Sequence, residues 1–571
     1  DKDGSVVVRA NSPMSTRDVE TFFKSHVIPM VRSGKYDIKV KVPVRGQMKA
    51  YEGWVIADDV EVDGESVEGR ALDPELAKSL RKVSDFVALQ VPIKRFFQGS
   101  AFVELEKRRT GETLSEREAE RRFRQLLFDP KRNQIGRVGA YHIEHRYGIK
   151  VEDSLTDEML AELGGILLAY CIGSTMPDDI DHLSNRRVRA IGELYYEVFA
   201  NAFERLVKTA RDEMINQQKE PELKLHRVLA QNILTQYVWR FVNPSEVHQL
   251  LEYTNPLTEI THKRRVTAMG RGGLSREHAS IEVRDVHHTH YGRLCPIETP
   301  EGQNIGLILS LATYAKLNEH GFLITPYRRV VNGEVTDEIV WMDALEEEKE
   351  YIVPADTPLN GRKINVDRVL ARHRSQWVAV DKDQITLMDV SVTQPFSISA
   401  SLVPFLESDD AIRALMGSNM QRQAVPLINA ESPIVATGME KHVVESLDYV
   451  IKANQDGTVS YVDGKQVKIK AEDGYEKTYQ LKVFDRTNQD TVVHFRPKVK
   501  QGQKVKKGDV LAEAITSDNG ELALGRNVLV AFMPWEGYNY EDAILISKRL
   551  VKDDVFYLSA HTRIHGRSGR A

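Results

Sequence analysis

The sequence predicts a multidomain α+β protein. Its 571 residues exceed several-fold the roughly 100–200 of one domain, so about three to five folding units are expected. Along the chain the hydrophobic period shifts from about two residues to about 3.6 and back, and Asn-Gly and Asp-Gly turn dipeptides gather beyond residue 330.

Residues 1–114 read as a β-rich region, because Tyr36 to Val44, Gly53 to Val60 and Val87 to Val91 alternate polar and apolar as half-buried strands do. Residues 115–240 read as mainly helical. Ser115 and Glu118 have capping-box spacing, and Ala119, Phe123, Leu126 and Leu127 share a face before Pro130 stops the helix. Val188 to Thr209 forms a long amphipathic helix, and its Tyr195, Phe199 and Phe203 make a stripe expected in the core. Residues 241–330, with Gly270, Gly272, Gly273, Gly292, Gly302 and Gly306 between short apolar runs, read as loops on a scaffold. Residues 331–395 read as short strands turning at Asn332-Gly333 and Asn360-Gly361, with the acidic run Glu346 to Glu350 as a solvated face. Residues 396–571 hold a helix at 409–422, then strands over 433–546 bounded by Asp456-Gly457, Asp463-Gly464, Asp473-Gly474 and Asn519-Gly520.

Lys+Arg total 78 against 83 Asp+Glu, a net charge of -5, which excludes a histone-like DNA-coating protein and leaves room for local basic patches. Cys171 and Cys295 are too few for a disulfide framework or a Cys-based zinc site, and suit a reducing cytoplasm. The longest apolar stretch, around Leu160 to Ile172, is shorter than the ~20 residues of a membrane span. Asp1 to Arg9 lacks the pattern of a targeting segment, and a chain opening without Met is expected to be a piece of a longer protein.

Five segments carry candidate chemistry. His262 to Arg276 holds five Lys/Arg and no acid, which suits phosphate contacts or a solvated loop paired with Glu259 and Glu277. Arg284 to Asn304 gathers His287, His288, His290 and Cys295, but their spacing departs from common zinc patterns, and Pro296 and Pro300 favour a rigid polar loop. Ser408 to Pro426 offers Arg413, Gln421, Arg422 and Gln423, either for nucleotide contacts or as an ordinary amphipathic helix. His494 to Leu511 has six Lys/Arg before Asp509, and its turns resemble the barrel-sandwich fold of biotinyl and lipoyl carriers without their modified lysine. Met533 to Ile546 places Glu541 and Asp542 after an aromatic turn and before an apolar strand, where at most one carboxylate faces a given Mg²⁺. No Walker A loop, GxSxG elbow or HExxH motif occurs.

Together, NPLTEITHKRRVTAMGRGGLSRE, EVRDVHHTHYGRLCPIETPEGQNIGLI, DDAIRALMGSNMQRQAVPL and DNGELALGRNVLVAFMPWEGYNYEDAILIS resemble signatures of the bacterial RNA polymerase β-subunit family, in that family's order. FDPKRNQIGRVGAYHI and DDIDHLSNRRVRAIGEL extend the resemblance upstream. It is firm over about 115–550, and the closing TRIHGRSGRA matches nothing in the family. It implies a helical and β lobe up to 240, including an insertion or lineage-specific region at 1–114. It further implies a loop-rich fork at 241–330, a β-rich external region at 331–395, and a barrel-like hybrid-binding region at 396–571. An upstream protrusion segment and a downstream flap and clamp-proximal half would complete the subunit.

The resemblance implies a subunit of a DNA-directed RNA polymerase, a nucleotidyltransferase that is inactive as this chain alone. The alternative is a non-catalytic remnant or split-gene half that serves assembly or nucleic-acid binding. Implied partners are an α dimer, β′, ω and a sigma factor, with template DNA, the RNA–DNA hybrid and NTPs, in the nucleoid-associated cytoplasm and away from membranes. Arg413, Glu541 and Asp542 match catalytic positions, with Asp542 reaching a second Mg²⁺ through water while the primary Mg²⁺ site lies on β′. Arg264, Arg271, Arg276, Asn304, Asn419, Gln421, Arg422 and Gln423 match positions facing nucleic acid or NTP. Gln249, Leu250, Glu252, His262, Arg265, Thr267, Arg276, Glu301, Asn304 and Ile308 match a rifamycin pocket. Glu252 stands for the usual Asp, Thr267 for Ser, Leu250 for Phe, and Arg271 and Gln303 for prolines.

Overall fold

The computed structural model describes parts of residues 38–179 and, from 180 to 558, all but 218–227, 230–231, 244–246, 271 and 472–473. It divides into two units, Asp1–Asp179 and Ile180–Ala571. The expectations for Arg271, Asp473 and the closing TRIHGRSGRA lie outside the described residues.

In the first unit the alternating runs become an antiparallel sheet ordered Ile38–Pro43, Phe86–Val91, Val55–Ile56, with Val40 opposite Leu89. The helix Pro74–Val83 also forms, burying Ala77 and Leu80, which a period-two reading misses. Ser115 does begin the helix Glu116–Leu127, but its side chain makes no capping bond, so the expected capping box is not formed. Its carbonyl instead accepts the N–H groups of Glu118 and Ala119 at 3.0 and 2.9 Å. Ala119 is buried while Leu126 lies exposed.

The second unit opens with the long helix Ile191–Asn216, which packs against Asn232–Val242. Its buried residues are Leu194, Val198 and Ala202, and the first two pack with Phe241. The aromatic stripe expected in the core sits one position further round: Tyr195 stacks edge-on to Phe241 at 5.0 Å, but Phe199 and Phe203 are 41% and 52% exposed. A shift of one residue rotates a helix face by about 100°, which is enough to turn a stripe off the seam.

Residues 316–389 build a nine-stranded sheet ordered Leu359–Asn360, Lys363–Ile364, Glu334–Met342, Leu323–Val331, Leu387–Asp389, Ile352–Val353, Arg368–His373, Gln376–Asp381, with Lys316–Leu317 beside Leu323–Val331. The Asn332-Gly333 hairpin forms as predicted because both residues adopt left-handed backbone, φ 49° and 73°, which matches strand twist. The acidic run is not a solvated face. Glu347 is buried, and the charge it carries is matched by Arg293 at 2.5 Å and by Arg372.

The helix Pro256–Lys263 shares one core with the helices Ile398–Ser401 and Met439–Ser446 and with strands between 450 and 514; Leu257, Val443, Val444, Val467, Ile469 and Leu511 are buried there. Those strands form open sheets, Val450–Lys452 with Val510–Ala514 and Phe495–Pro497, and a meander of Gly457–Val462, Gln466–Lys470 and Glu476–Gln480 joined by Lys504–Val505. Among the described residues no sheet closes, so the barrel-like expectation is replaced by several open sheets. The strands expected after 523 are also absent: 528–546 is irregular, with Leu529, Phe532 and Ile544 exposed, and among the described residues no strand pairs with it.

Candidate functional site

The helix predicted at 409–422 forms as Ala411–Arg422, with Asp410 as its N-cap accepting from the Ile412 N–H. Its far end is bound into the core. Asn255 caps the helix Pro256–Lys263 through the Thr258 N–H at 3.0 Å, and its amide donates to the carbonyls of Gln421, Arg422 and Ala424 at 3.4, 3.2 and 2.8 Å. Arg422 donates to Asn419 Oδ1 at 2.5 Å and lies 3.6 Å from buried Glu298, while Asn419 donates to the Thr299 carbonyl at 3.2 Å. These bonds fix the helix in rotation. Arg413, about two and a half turns nearer the N-terminus than Arg422 and so on the opposite face, then projects outward and is 66% exposed along its side chain.

Glu541 and Asp542 sit in a turn, not at the head of a strand. Both have left-handed backbone, φ 52° and 63°, so the strand rule that sent neighbouring acids to opposite faces does not apply. Asp542 Oδ2 comes within 4.0 Å of Arg413 Nη1. The turn thereby brings together two of the three residues expected at the catalytic positions, 129 residues apart in sequence. Neither carboxylate joins a group of three close ligand side chains among the described residues, whereas Mg²⁺ takes six oxygens. The donor set therefore fits a single water-mediated contact and not a closed metal cage.

The basic segment folds as a strand and a tight loop. Arg265–Thr267 pairs with Ile308–Ser310, setting Thr267 opposite Ile308. The loop then closes on itself, with the Gly273 N–H on Gly270 O at 2.9 Å and the Leu274 N–H on Ala268 O at 2.9 Å. Only glycine fits at 273, since a Cβ there would lie 2.4 Å from Ala268 O. Gly306 is equally constrained at φ 72°, with its Cβ position 2.4 Å from Arg284 O, and Arg284 in turn donates to the carbonyls of Gln303 and Ile305 at 2.8 Å each. Those bonds hold Asn304 half-buried with Oδ1 unpartnered, while Glu301 and Arg276 are exposed.

The pocket-like residues join at His262. Its Nδ1 accepts the Glu252 N–H at 3.0 Å, so the neutral ring carries its proton on Nε2, which faces Gln249 Oε1 at 3.1 Å. Burial, with the nearby Arg265 charge second, lowers its pKa and keeps it neutral. Leu250 alongside is 69% exposed.

The cations expected to face nucleic acid differ in how the fold uses them. Arg264 donates to the carbonyls of Ala312 and Thr313 at 2.6 and 3.2 Å, and Arg422 is braced as described, so both are spent inside the fold. Arg276, Arg413 and Gln423 remain exposed, and Gln421 is half-buried. Sequence reading missed Asn255 and Glu298. The Asn255-Pro256 dipeptide is a legible N-cap signal, since Pro suits the first helical position, but nothing near Glu298 announces Arg422 or Ser397.

Four family models match in succession: RNA polymerase Rpb2, domain 2, at residues 98–189; RNA polymerase Rpb2, domain 3, at 249–317; RNA polymerase beta subunit external 1 domain at 327–391; and RNA polymerase Rpb2, domain 6, at 452–568. The DNA-directed RNA polymerase subunit beta of Thermus thermophilus is 47% identical over 447 residues, covering 76% of this chain and 40% of that protein. The protein of the same name from Geotalea daltonii is 47% identical over 474 residues, 81% of this chain and 34% of its own length. That from Borrelia turicatae is 46% identical over 460 residues, 79% and 40%. The chain thus spans well under half the length of these relatives.

Proposed function

Because the chain belongs to the β-subunit family of DNA-directed RNA polymerase, we propose that it supplies the fork and hybrid-binding parts of an enzyme that copies DNA into RNA, working only in assembly with the rest of β, an α dimer, β′, ω and a sigma factor in the nucleoid-associated cytoplasm. The observation that carries this reading is the meeting of Arg413 and Asp542 on the surface. Phosphoryl transfer depends on in-line positioning and neutralisation of charge, and an exposed guanidinium suits the phosphates of an incoming NTP. Asp542 would hold a water of the second Mg²⁺, whose chemistry is to neutralise triphosphate oxygens. At 4.0 Å from the Arg413 guanidinium, it would stand beside the same triphosphate.

Asn419 and Gln423 lie on or just beyond the same helix, towards the hybrid in this reading, and Arg276 and Asn304 face the fork side. Arg422 acts as a positioning residue through Asn419 and Glu298. The match of the external 1 model to 327–391 supports placing the external region at 331–395. The test is co-assembly of this chain with the complementary parts of β, α and β′. Template-directed RNA synthesis is expected; a complex that assembles and makes no RNA would instead identify a non-catalytic assembly part.

A further inference from the structure

A second cluster of chemistry-bearing side chains lies in the same unit, outside the site already described. His182 comes from the irregular segment before the helix Ile191–Asn216, His288 from the 3-10 turn His288–His290, and Glu348 from the end of the short helix Ala344–Glu347. His182 Nε2 lies 3.0 Å from Glu348 Oε1, and His288 Nε2 lies 3.7 Å from the same oxygen. One ligand atom from each of the three falls within 4.8 Å of the others. Four-coordinate zinc with bonds of about 2.0–2.2 Å sets its ligands about 3.3–3.5 Å apart, and the separations of 3.0 and 3.7 Å bracket that value.

We propose that His182, His288 and Glu348 form a binding site for a divalent transition-metal ion of the zinc type, with water in the fourth position. Two imidazoles and one carboxylate are a ligand set that favours zinc over Mg²⁺ or Ca²⁺. The surroundings suit such a site. His182 is buried, whereas the side chains of His288 and Glu348 are each 31% exposed, so an ion has an entry path. Ser184 Oγ lies 2.7 Å from His182 Nδ1. When a metal takes Nε2, the ring proton moves to Nδ1 and this hydroxyl accepts it, the outer hydrogen bond that orients metal-bound histidines. The cost is the contact from the Ser184 N–H to the same nitrogen at 3.1 Å.

The neighbouring cations are matched and do not repel an incoming ion unopposed: Arg186 pairs with Asp181 at 3.6 Å and Arg293 with Glu347. A bound ion would join three segments that are distant in sequence. Cys295, the other soft ligand of this stretch, is not among the grouped residues.

The experiment uses the full 571-residue chain, free of any histidine tag, stripped with a chelator and titrated with Co²⁺ as a spectroscopic stand-in for zinc. The expected result is one equivalent of Co²⁺ with the intense visible bands of four-coordination, displaced by Zn²⁺. His288→Ala and Glu348→Gln should each weaken binding by more than the ~10-fold typical of losing an outer partner, and Ser184→Ala by about that factor. His442→Ala, on an exposed helix position elsewhere, should leave binding unchanged. Glu348→Gln preserves shape and a hydrogen-bond acceptor, so it reads ligation without a folding defect. Absence of saturable Co²⁺ binding, or binding that survives either His288→Ala or Glu348→Gln undiminished, overturns the proposal.

Discussion

Arg413 Nη1 and Asp542 Oδ2 lie 4.0 Å apart while their side chains are 66% and 86% exposed. An ion pair so exposed contributes little to stability, because water screens it and both side chains lose freedom to make it. Arg413→Ala and Asp542→Asn are therefore expected to shift the denaturant midpoint of the chain by no more than about 0.5 kcal/mol equivalent. Destabilisation of several times that size would show a structural pair.

The opposite holds for Glu347, which lies between Arg293 and Arg372 in a buried network that also includes Tyr291, Tyr327 and Asp389. Glu347→Gln leaves two buried guanidinium groups short of a carboxylate and should cost about 3–5 kcal/mol. Lys349→Gln, two residues on and exposed, should cost less than about 0.5 kcal/mol. Urea unfolding of both variants separates the cases, and equal midpoints would contradict the network.

His262 gives a pH dependence with a definite sign. Its folded-state pKa is below the ordinary histidine value, chiefly through burial, so its stabilising contribution is fully present above about pH 6.5 and is lost as pH falls through the folded-state pKa. Protonation also removes the Nδ1 lone pair that accepts the Glu252 N–H. Wild-type stability should fall relative to His262→Gln between about pH 7.5 and pH 5, as read by urea midpoints. A difference that stays constant, or widens in favour of wild type, would refute the neutral tautomer.

The rifamycin-pocket reading predicts a drug effect. Glu252 contacts His262 through its backbone, and Thr267 faces Ile308 across the two-stranded sheet. An added methylene and an added methyl in a tight pocket should each cost about 1 kcal/mol or more of affinity. Glu252→Asp and Thr267→Ser should each increase rifampicin sensitivity of the assembled enzyme about fivefold. Unchanged inhibition would place these residues outside the pocket.

The parts legible in sequence were those governed by short-range rules. The Asn332-Gly333 hairpin, the helix at 411–422 and the strands at 38–43 and 86–91 follow from turn chemistry and period. What was not legible depended on distant partners. Glu347 looked solvated because Arg293 and Arg372 are 54 and 25 residues away, and Phe199 looked buried because the seam with Asn232–Val242 could not be placed from one helix. Motif resemblance located Arg413 and Asp542 separately, but only the left-handed turn at 541–542 explains how they meet. The grouping of His182, His288 and Glu348 is likewise tertiary, and His spacing within 287–295 argued against it.

The most direct test of the central claim is the rate of single-nucleotide addition by the assembled polymerase containing this chain. With Arg413→Ala or Asp542→Ala, whose stability effects are expected to be negligible, turnover should fall on the order of 100-fold or more, as when a charge-stabilising group is removed from a reacting centre. Near-normal addition rates in both variants would contradict the account and leave the pair as a surface contact.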